Sequence, residues 1–174
     1  IKISNSIRNN NKLESMKETT QNMDGDKQKP LDIFADECIL ETINNSSVAA
    51  YCSEEQDGMT TLDENGKYVI FCDPLDGSSN IDNNISIGTI FSVLPFDKAS
   101  AENSLKQNGK YQLCAGFFVY GPQTTLTLSL GNGVHSFYYD YKNNRFYILN
   151  SNILIPNSTS EFSINSSYRR YWNN

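Results

Sequence analysis

The sequence predicts an α+β or layered α/β chain built on a mostly antiparallel sheet flanked by helices. Three observations carry this: a helical stretch with one apolar face near the front, a succession of strand-length apolar runs behind it, and Gly, Asn and Pro turn chemistry between those runs. At 174 residues the chain can bury one sizeable core. A net charge of -6 and a pI near 4.7 exclude a nucleic-acid partner, because phosphate binders cluster Lys and Arg and here only Arg169 and Arg170 adjoin. No run approaches the roughly 18 apolar residues of a membrane span, and no charged region followed by an apolar one opens the chain. Cys38, Cys52, Cys72 and Cys114 lack CxxC spacing, so neither a zinc site nor a redox pair is expected, and reduced thiols in a cytoplasmic protein fit better than a disulfide framework.

Residues 1–23 are mostly Asn, Ser, Thr, Lys and Glu, and are expected to form a polar, disordered segment with little to bury. Ordered structure is expected over 24–164, with 165–174 opening a second domain. The chain starts at Ile1 and stops just after Tyr171 and Trp172 with no polar tail, so it is expected to be incomplete at both ends. In "PLDIFADECILETINN", Leu31, Phe34, Ala35, Cys38 and Ile39 follow helical spacing, Pro30 precedes the helix, and Asn44 and Asn45 close it. "SVAAYCSEE" is a strand ending in two acids, and "GKYVIFCD" is a strand ending at Asp73. "ISIGTIFSVL", "LCAGFFVYG", "TTLTLSL", "VHSFYYDY" and "RFYILN" then make an antiparallel meander, joined by "DKASAENSLKQNGK", "GPQ", "GNG" and "KNN".

Six acids stand out by position. Asp26 and Asp32 flank the helix entry, Glu54 and Glu55 follow one strand, and Asp73 and Asp76 follow another. Each alone reads as a turn residue or helix cap. Together at neighbouring strand ends they would repel unless protons or cations neutralise them, and hard oxygen ligands select Mg²⁺ or Mn²⁺. Asp73 and Asp76 around Pro74 can face one cation if a turn points them alike, with the Leu75 carbonyl as a third ligand. Gly77, Ser78 and Ser79 leave backbone amides open to an anion. A cation beside a phosphate cradle suggests metal-assisted phosphoester hydrolysis. His135, the one histidine, and the aromatics Phe137, Tyr138, Tyr139, Tyr141, Phe146 and Tyr147 read as structural, the latter as cross-strand pairs.

The stretch "GKYVIFCDPLDGSSNIDNNISIGTIFSV" closely resembles the signature region of fructose-1,6-bisphosphatase, in the superfamily of lithium-sensitive, magnesium-dependent sugar phosphatases. "GDKQKPLDIFADE", "SEE", "CAGFFVYG", "GVHSFYYD" and "FSIN" extend the resemblance over about Asp24 to Tyr168. It implies the amino-terminal domain of the sugar-phosphatase fold, with the second domain largely missing. It further implies hydrolysis of the 1-phosphate of D-fructose 1,6-bisphosphate, Mg²⁺ or Mn²⁺ as cofactor, and a homo-oligomer, a tetramer, at full length. By that resemblance Asp26, Glu54, Asp73, Leu75 (through its carbonyl) and Asp76 are metal ligands. Asp32 and Glu55 prepare the attacking water, Asp76, Gly77, Ser78 and Ser79 hold the departing phosphate, Asn165 and Tyr168 contact the other phosphate, and Lys67 and Tyr68 match part of an AMP site. The chain reads Asn165-Ser166-Ser167 where many relatives read Asn-Glu-Gly. A sedoheptulose-bisphosphatase and a non-catalytic homologue with the same fold are the alternatives.

Overall fold

The computed structural model describes residues 1–9, 29–161, 163 and 166–171. Its strands are β1 (Val48–Ser53), β2 (Met59–Thr61), β3 (Tyr68–Asp76), β4 (Ile87–Pro95), β5 (Cys114–Tyr120), β6 (Thr124–Ser129), β7 (Val134–Asp140) and β8 (Arg145–Asn150). The helices are α1 (Lys2–Arg8), α2 (Pro30–Ile43) and α3 (Ala101–Leu105). All the strands join one sheet in the order β2-β1-β3-β4-β5-β6-β7-β8. Only the β1–β3 pair is parallel among them, and β4 to β8 form the expected meander. The sheet is therefore mixed but mostly antiparallel, as the sequence predicts.

Helix α2 begins one residue earlier than the pattern suggests. Pro30 is its first helical residue, where a missing N–H costs nothing, and the Asp32 carboxylate accepts from the Lys29 amide at 2.6 Å. Asn45, with φ of 64°, turns the chain away after the Asn44 cap.

Two apolar clusters hold the sheet. One joins Ile3 of α1 and Leu31, Ala35 and Cys38 of α2 to Leu75, Ile87 and Tyr120; the other gathers Ala50, Val69 and Leu94. Ile87 and Leu94 stand an odd number of residues apart on β4, so strand alternation puts the clusters on opposite faces. Across the outer strands, Tyr138 stacks on Tyr147 at 5.7 Å and Tyr139 packs on Phe146 at 5.0 Å, the expected cross-strand pairing.

Four local expectations need correction. Within the segment expected to be disordered, Lys2–Arg8 forms a helix whose Ile3 is 7% exposed. Two isoleucines one helical turn apart, Ile3 and Ile7, suffice to dock it, and Ser4 adds a hydroxyl triangle with Thr124 and Tyr141. The short edge strand β2 was not foreseen, since three residues give too little alternation to see. The connection "DKASAENSLKQNGK" contains α3, started by Ser100 accepting from the Asn103 amide. Finally, β3 does not stop at Asp73 but runs through Pro74 to Asp76.

Gly88 of β4 lies opposite Asp76, and a Cβ there would come within 2.6 Å of the Phe118 carbonyl oxygen on β5. Gly88→Ala should therefore destabilise the fold by about 1–3 kcal/mol, through strand displacement. Ile3→Ala should cost about 2–4 kcal/mol through a cavity under α1. Urea denaturation of each variant checks both, and an unchanged midpoint for Ile3→Ala would show that α1 contributes nothing to the core.

Candidate active site

At one end of the sheet a cleft of about 460 Å³ is lined by Lys29, Asp32, Glu54, Glu55, Asp73, Leu75, Asp76, Gly77, Ser78 and Ser79. The parallel pairing of β1 and β3 explains half of this. Parallel neighbours end on the same side, and Ser53 lies opposite Cys72, so Glu54 and Asp73 emerge side by side. The Glu54 amide extends the ladder to the Cys72 carbonyl at 3.1 Å, and the Glu55 amide donates to Ser53 Oγ at 3.1 Å.

A bulge explains the other half. In a regular strand, residues three apart face opposite sides. Here Asp73 pairs with Ile90 and Asp76 with Gly88, so two residues of β3 stand against one of β4. The extra residue restores the parity, and both aspartates face the side that Ile90 and Gly88 share. Pro74 has no N–H for the ladder, and its carbonyl accepts instead from the Thr89 hydroxyl at 2.8 Å. Asp73 Oδ1 accepts from the Leu75 amide at 3.0 Å, which pins the bulge from within.

Gly77 then adopts φ of 75°, a conformation that favours glycine, and swings the chain into a 3₁₀ turn over Ser78–Asn83. The turn is tied to α2 by Lys29, whose Nζ reaches Asp82 Oδ2 at 2.8 Å and the Ser78 carbonyl at 3.2 Å. That tie places the small residues opposite Asp32.

The electrostatics are those of crowded acids. Burial, reinforced by Glu54 and then by Asp76, pushes the Asp73 carboxyl up to about 7. Burial also raises Asp32, against the pull of the Lys29 amide and the Ser78 side chain, and Asp32 Oδ1 is buried without a hydrogen-bond partner. Among the described residues no three Asp, Glu, His or Cys side chains stand close enough to hold an ion. Glu54 and Asp73 meet as a pair, and the other acids line the walls, where mutual repulsion is lower. The carboxylates and carbonyls of this lining are hard oxygen donors, the chemistry that suits a divalent cation such as Mg²⁺ or Mn²⁺, with Glu54 and Asp73 already side by side.

Of the residues singled out from the sequence, the cleft brings together Asp32, Glu54, Glu55, Asp73, Leu75, Asp76, Gly77, Ser78 and Ser79. Asp26 and Asn165 lie outside the described residues. Tyr168 falls in a 3₁₀ turn over Ser166–Tyr171, its side chain outside the described set. Lys67 precedes β3 and Tyr68 begins it, the opposite end of that strand from Asp76. Sequence reasoning missed Lys29, which is the cation nearest Asp32 along the chain, and Asp82, its partner. A larger concavity of about 660 Å³ shares Glu54 and Asp73 with the cleft, but Phe71, Ile90, Phe117 and Val134 make it chiefly apolar. The reactive groups converge in the smaller one.

Comparison with known proteins gives one family. The model of the fructose-1,6-bisphosphatase amino-terminal domain matches residues 2–151. A class 1 fructose-1,6-bisphosphatase of Neisseria meningitidis is 47% identical over 155 residues, which are 88% of this chain and 48% of that protein. One from Sinorhizobium medicae is 49% identical over 154 residues, covering 87% of this chain and 44% of the relative. The chain thus spans about half the length of the curated relatives it matches. Among solved structures, Leishmania major fructose-1,6-bisphosphatase in holo form superposes with a TM-score of 0.87 at 33% identity, over 98% of this chain and 56% of that one. Sequence and overall fold agree: the chain belongs to the class 1 fructose-1,6-bisphosphatase family, of which it carries the amino-terminal domain.

Proposed function

We propose that this chain is the metal- and phosphate-binding half of an enzyme that hydrolyses the 1-phosphate of D-fructose 1,6-bisphosphate to fructose 6-phosphate and phosphate, a step of gluconeogenesis. The observation that carries this reading is the single cleft in which paired acids from two strand ends face the open backbone of Gly77, Ser78 and Ser79. Glu54, Asp73, Asp76 and the Leu75 carbonyl would hold Mg²⁺ or Mn²⁺, joined by Asp26. When bound, such a cation neutralises charge on the phosphoryl oxygens and makes a coordinated water more acidic.

The remaining work falls to the chain's own groups. Ser78, Ser79 and their amides orient the leaving phosphate, because Gly77 turns them inward without a side chain in the way. Asp32 and Glu55 remove the proton of the attacking water. Burial suits Asp32 to this, since a raised pKa makes the carboxylate a better base near neutral pH. Water then adds to phosphorus as the ester P–O bond to the sugar breaks, and the sugar oxygen takes up a proton to leave as the alcohol, balancing the one removed from water. Asn165 and Tyr168 would contact the distal phosphate, and Lys67 and Tyr68 part of an AMP site far along β3. The free thiols of Cys38, Cys52, Cys72 and Cys114 support a cytoplasmic setting, and a homotetramer at the relatives' length completes the proposal.

Asp73→Ala should weaken Mn²⁺ binding by at least about tenfold in a calorimetric titration, the scale of one lost charged ligand. Equal affinity would remove Asp73 from the metal set. In a protein of the relatives' length, Glu55→Gln should lower kcat by about 10² to 10⁴ with little change in metal dependence, whereas Glu54→Gln should raise the metal requirement. Indistinguishable metal dependence would show these roles to be misassigned. A phosphate-release assay on fructose 1,6-bisphosphate should find these 174 residues slower than the longer protein by about 10³ or more, because groups that orient the sugar are absent.

A pH test follows from Asp73. In chelator, its folded-state value of about 7 lies above the ordinary 3.8, so the folded state holds a proton that the unfolded chain has released. That contribution is full at low pH and is lost as pH rises through about 7. The stability difference between wild type and Asp73→Asn should therefore shift against wild type between pH 5 and pH 8 in urea denaturation with EDTA. A pH-independent difference would mean that Asp73 is not crowded.

A further inference from the structure

Asp36 lies one helical turn after Asp32 on α2 and is 6% exposed, yet nothing in the proposed reaction uses it. Its two carboxylate oxygens are separately engaged. Oδ1 accepts from the hydroxyl of Tyr51 on β1 at 2.8 Å, and Oδ2 accepts from Gln56 Nε2. The Gln56 amide oxygen in turn accepts from the Thr60 hydroxyl on β2 at 2.7 Å. Tyr51 is fully buried, and burial holds its hydroxyl pKa far above the usual range, so it remains a donor to Asp36.

Gln56 closes the turn that carries Glu54 and Glu55. That turn leaves β1 at Ser53, and its backbone is engaged at three successive amides. The Glu54 amide reaches Cys72, the Glu55 amide reaches Ser53 Oγ, and the Gln56 amide reaches the Ser53 carbonyl at 3.3 Å. These fix the start of the turn, while Gln56 to Asp36 fixes where the turn lies relative to α2. The same helix carries Asp32 on the same face, since residues four apart superpose along a helix.

A purely structural account of Asp36 is weak. Its neighbours on α2, Leu31, Ala35 and Cys38, pack an apolar core. A hydrophobic side chain at Asp36 would join α2 to β1 without burying a charge. What it could not do is accept a donor from the Glu54–Gln56 turn while holding Tyr51 on the strand beneath.

We propose that Asp36 is a positioning residue, which through Gln56 sets the distance between Asp32 on α2 and the Glu54–Glu55 pair. The inference rests on the reading of those three acids as the metal- and water-handling groups. Its geometry, however, is testable without it. Positioning partners of this kind typically change metal affinity by about 10- to 100-fold when removed.

The test uses Asp36→Asn, Gln56→Glu and the double substitution, all on this chain. Asp36→Asn sets an amide N–H against a donor, and Gln56→Glu sets two carboxylates against each other. The double substitution exchanges donor and acceptor across the same bond and conserves net charge. Amide hydrogen exchange by mass spectrometry, at a temperature where each variant is folded, gives the metal-free readout. Each single substitution should raise exchange at Glu54–Gln56 by about tenfold or more while β3 and β4 stay protected, and the double should restore protection. Unchanged exchange at the turn, or loss spread equally over β1, β3 and β4, would overturn the proposal.

Mn²⁺ calorimetry is the second readout. Affinity should fall by about tenfold in each single variant and return to within about threefold of wild type in the double. Affinity that is unchanged in the singles, or unrescued in a double whose turn is protected again, would overturn the link from the turn to the metal. Absence of Mn²⁺ binding by wild type would instead contradict the metal reading, and the exchange pattern would still decide whether Asp36 positions the turn.

Discussion

The extra residue that β3 carries between Asp73 and Asp76 is the constraint on which the rest of the site depends. Without it, strand alternation would send the two aspartates to opposite faces of the sheet. With it, both face the side shared by Ile90 and Gly88. Several neighbouring features serve this one irregularity. Thr89 takes up the Pro74 carbonyl that the ladder cannot use, Asp73 pins the Leu75 amide, and Gly88 leaves room for β5 to approach. Leu75, 3% exposed, anchors the bulge in the core shared with α1 and α2.

Crowding of like charges is the second theme, and the fold meets it by distribution. Glu54 and Asp73 are forced together by the parallel pairing of β1 and β3, and a proton on Asp73 relieves them. Asp32 comes from a different element, and Glu55 and Asp76 line the rim. Lys29 spans α2 and the Ser78–Asn83 turn, where its bond to the exposed Asp82 adds little stability but fixes the turn's position. Such a site holds unfavourable interactions that a bound cation would relieve. That is the expected condition of a surface built to bind rather than to be stable.

Much of this was legible in the sequence because it is local. The α2 pattern of Leu31, Ala35 and Cys38, the meander from β4 to β8 and the small residues of Gly77–Ser79 each follow from period or turn chemistry within a dozen residues. The acids at strand ends were legible as a set for the same reason. What escaped was either too short to show a period, such as β2, or sparse in apolar residues, such as α1, where Ile3 and Ile7 alone make the contact. Lys29 and Asp36 escaped because a lone charge on a helix reads as solvated until its partner is known.

The sequence by itself determined the types of the longer elements, the family and the chemical character of the cleft, since these reside in residue identity and short-range spacing. Only the tertiary structure decided that Asp73 and Asp76 share a face, because the bulge is defined by pairing with β4 and not by β3 alone. It also decided that Asp36 and Gln56, 20 positions apart, meet across α2 and the turn after β1. Hydrogen bonds between distant segments depend on how layers pack, and no periodicity along one chain segment encodes the position of another.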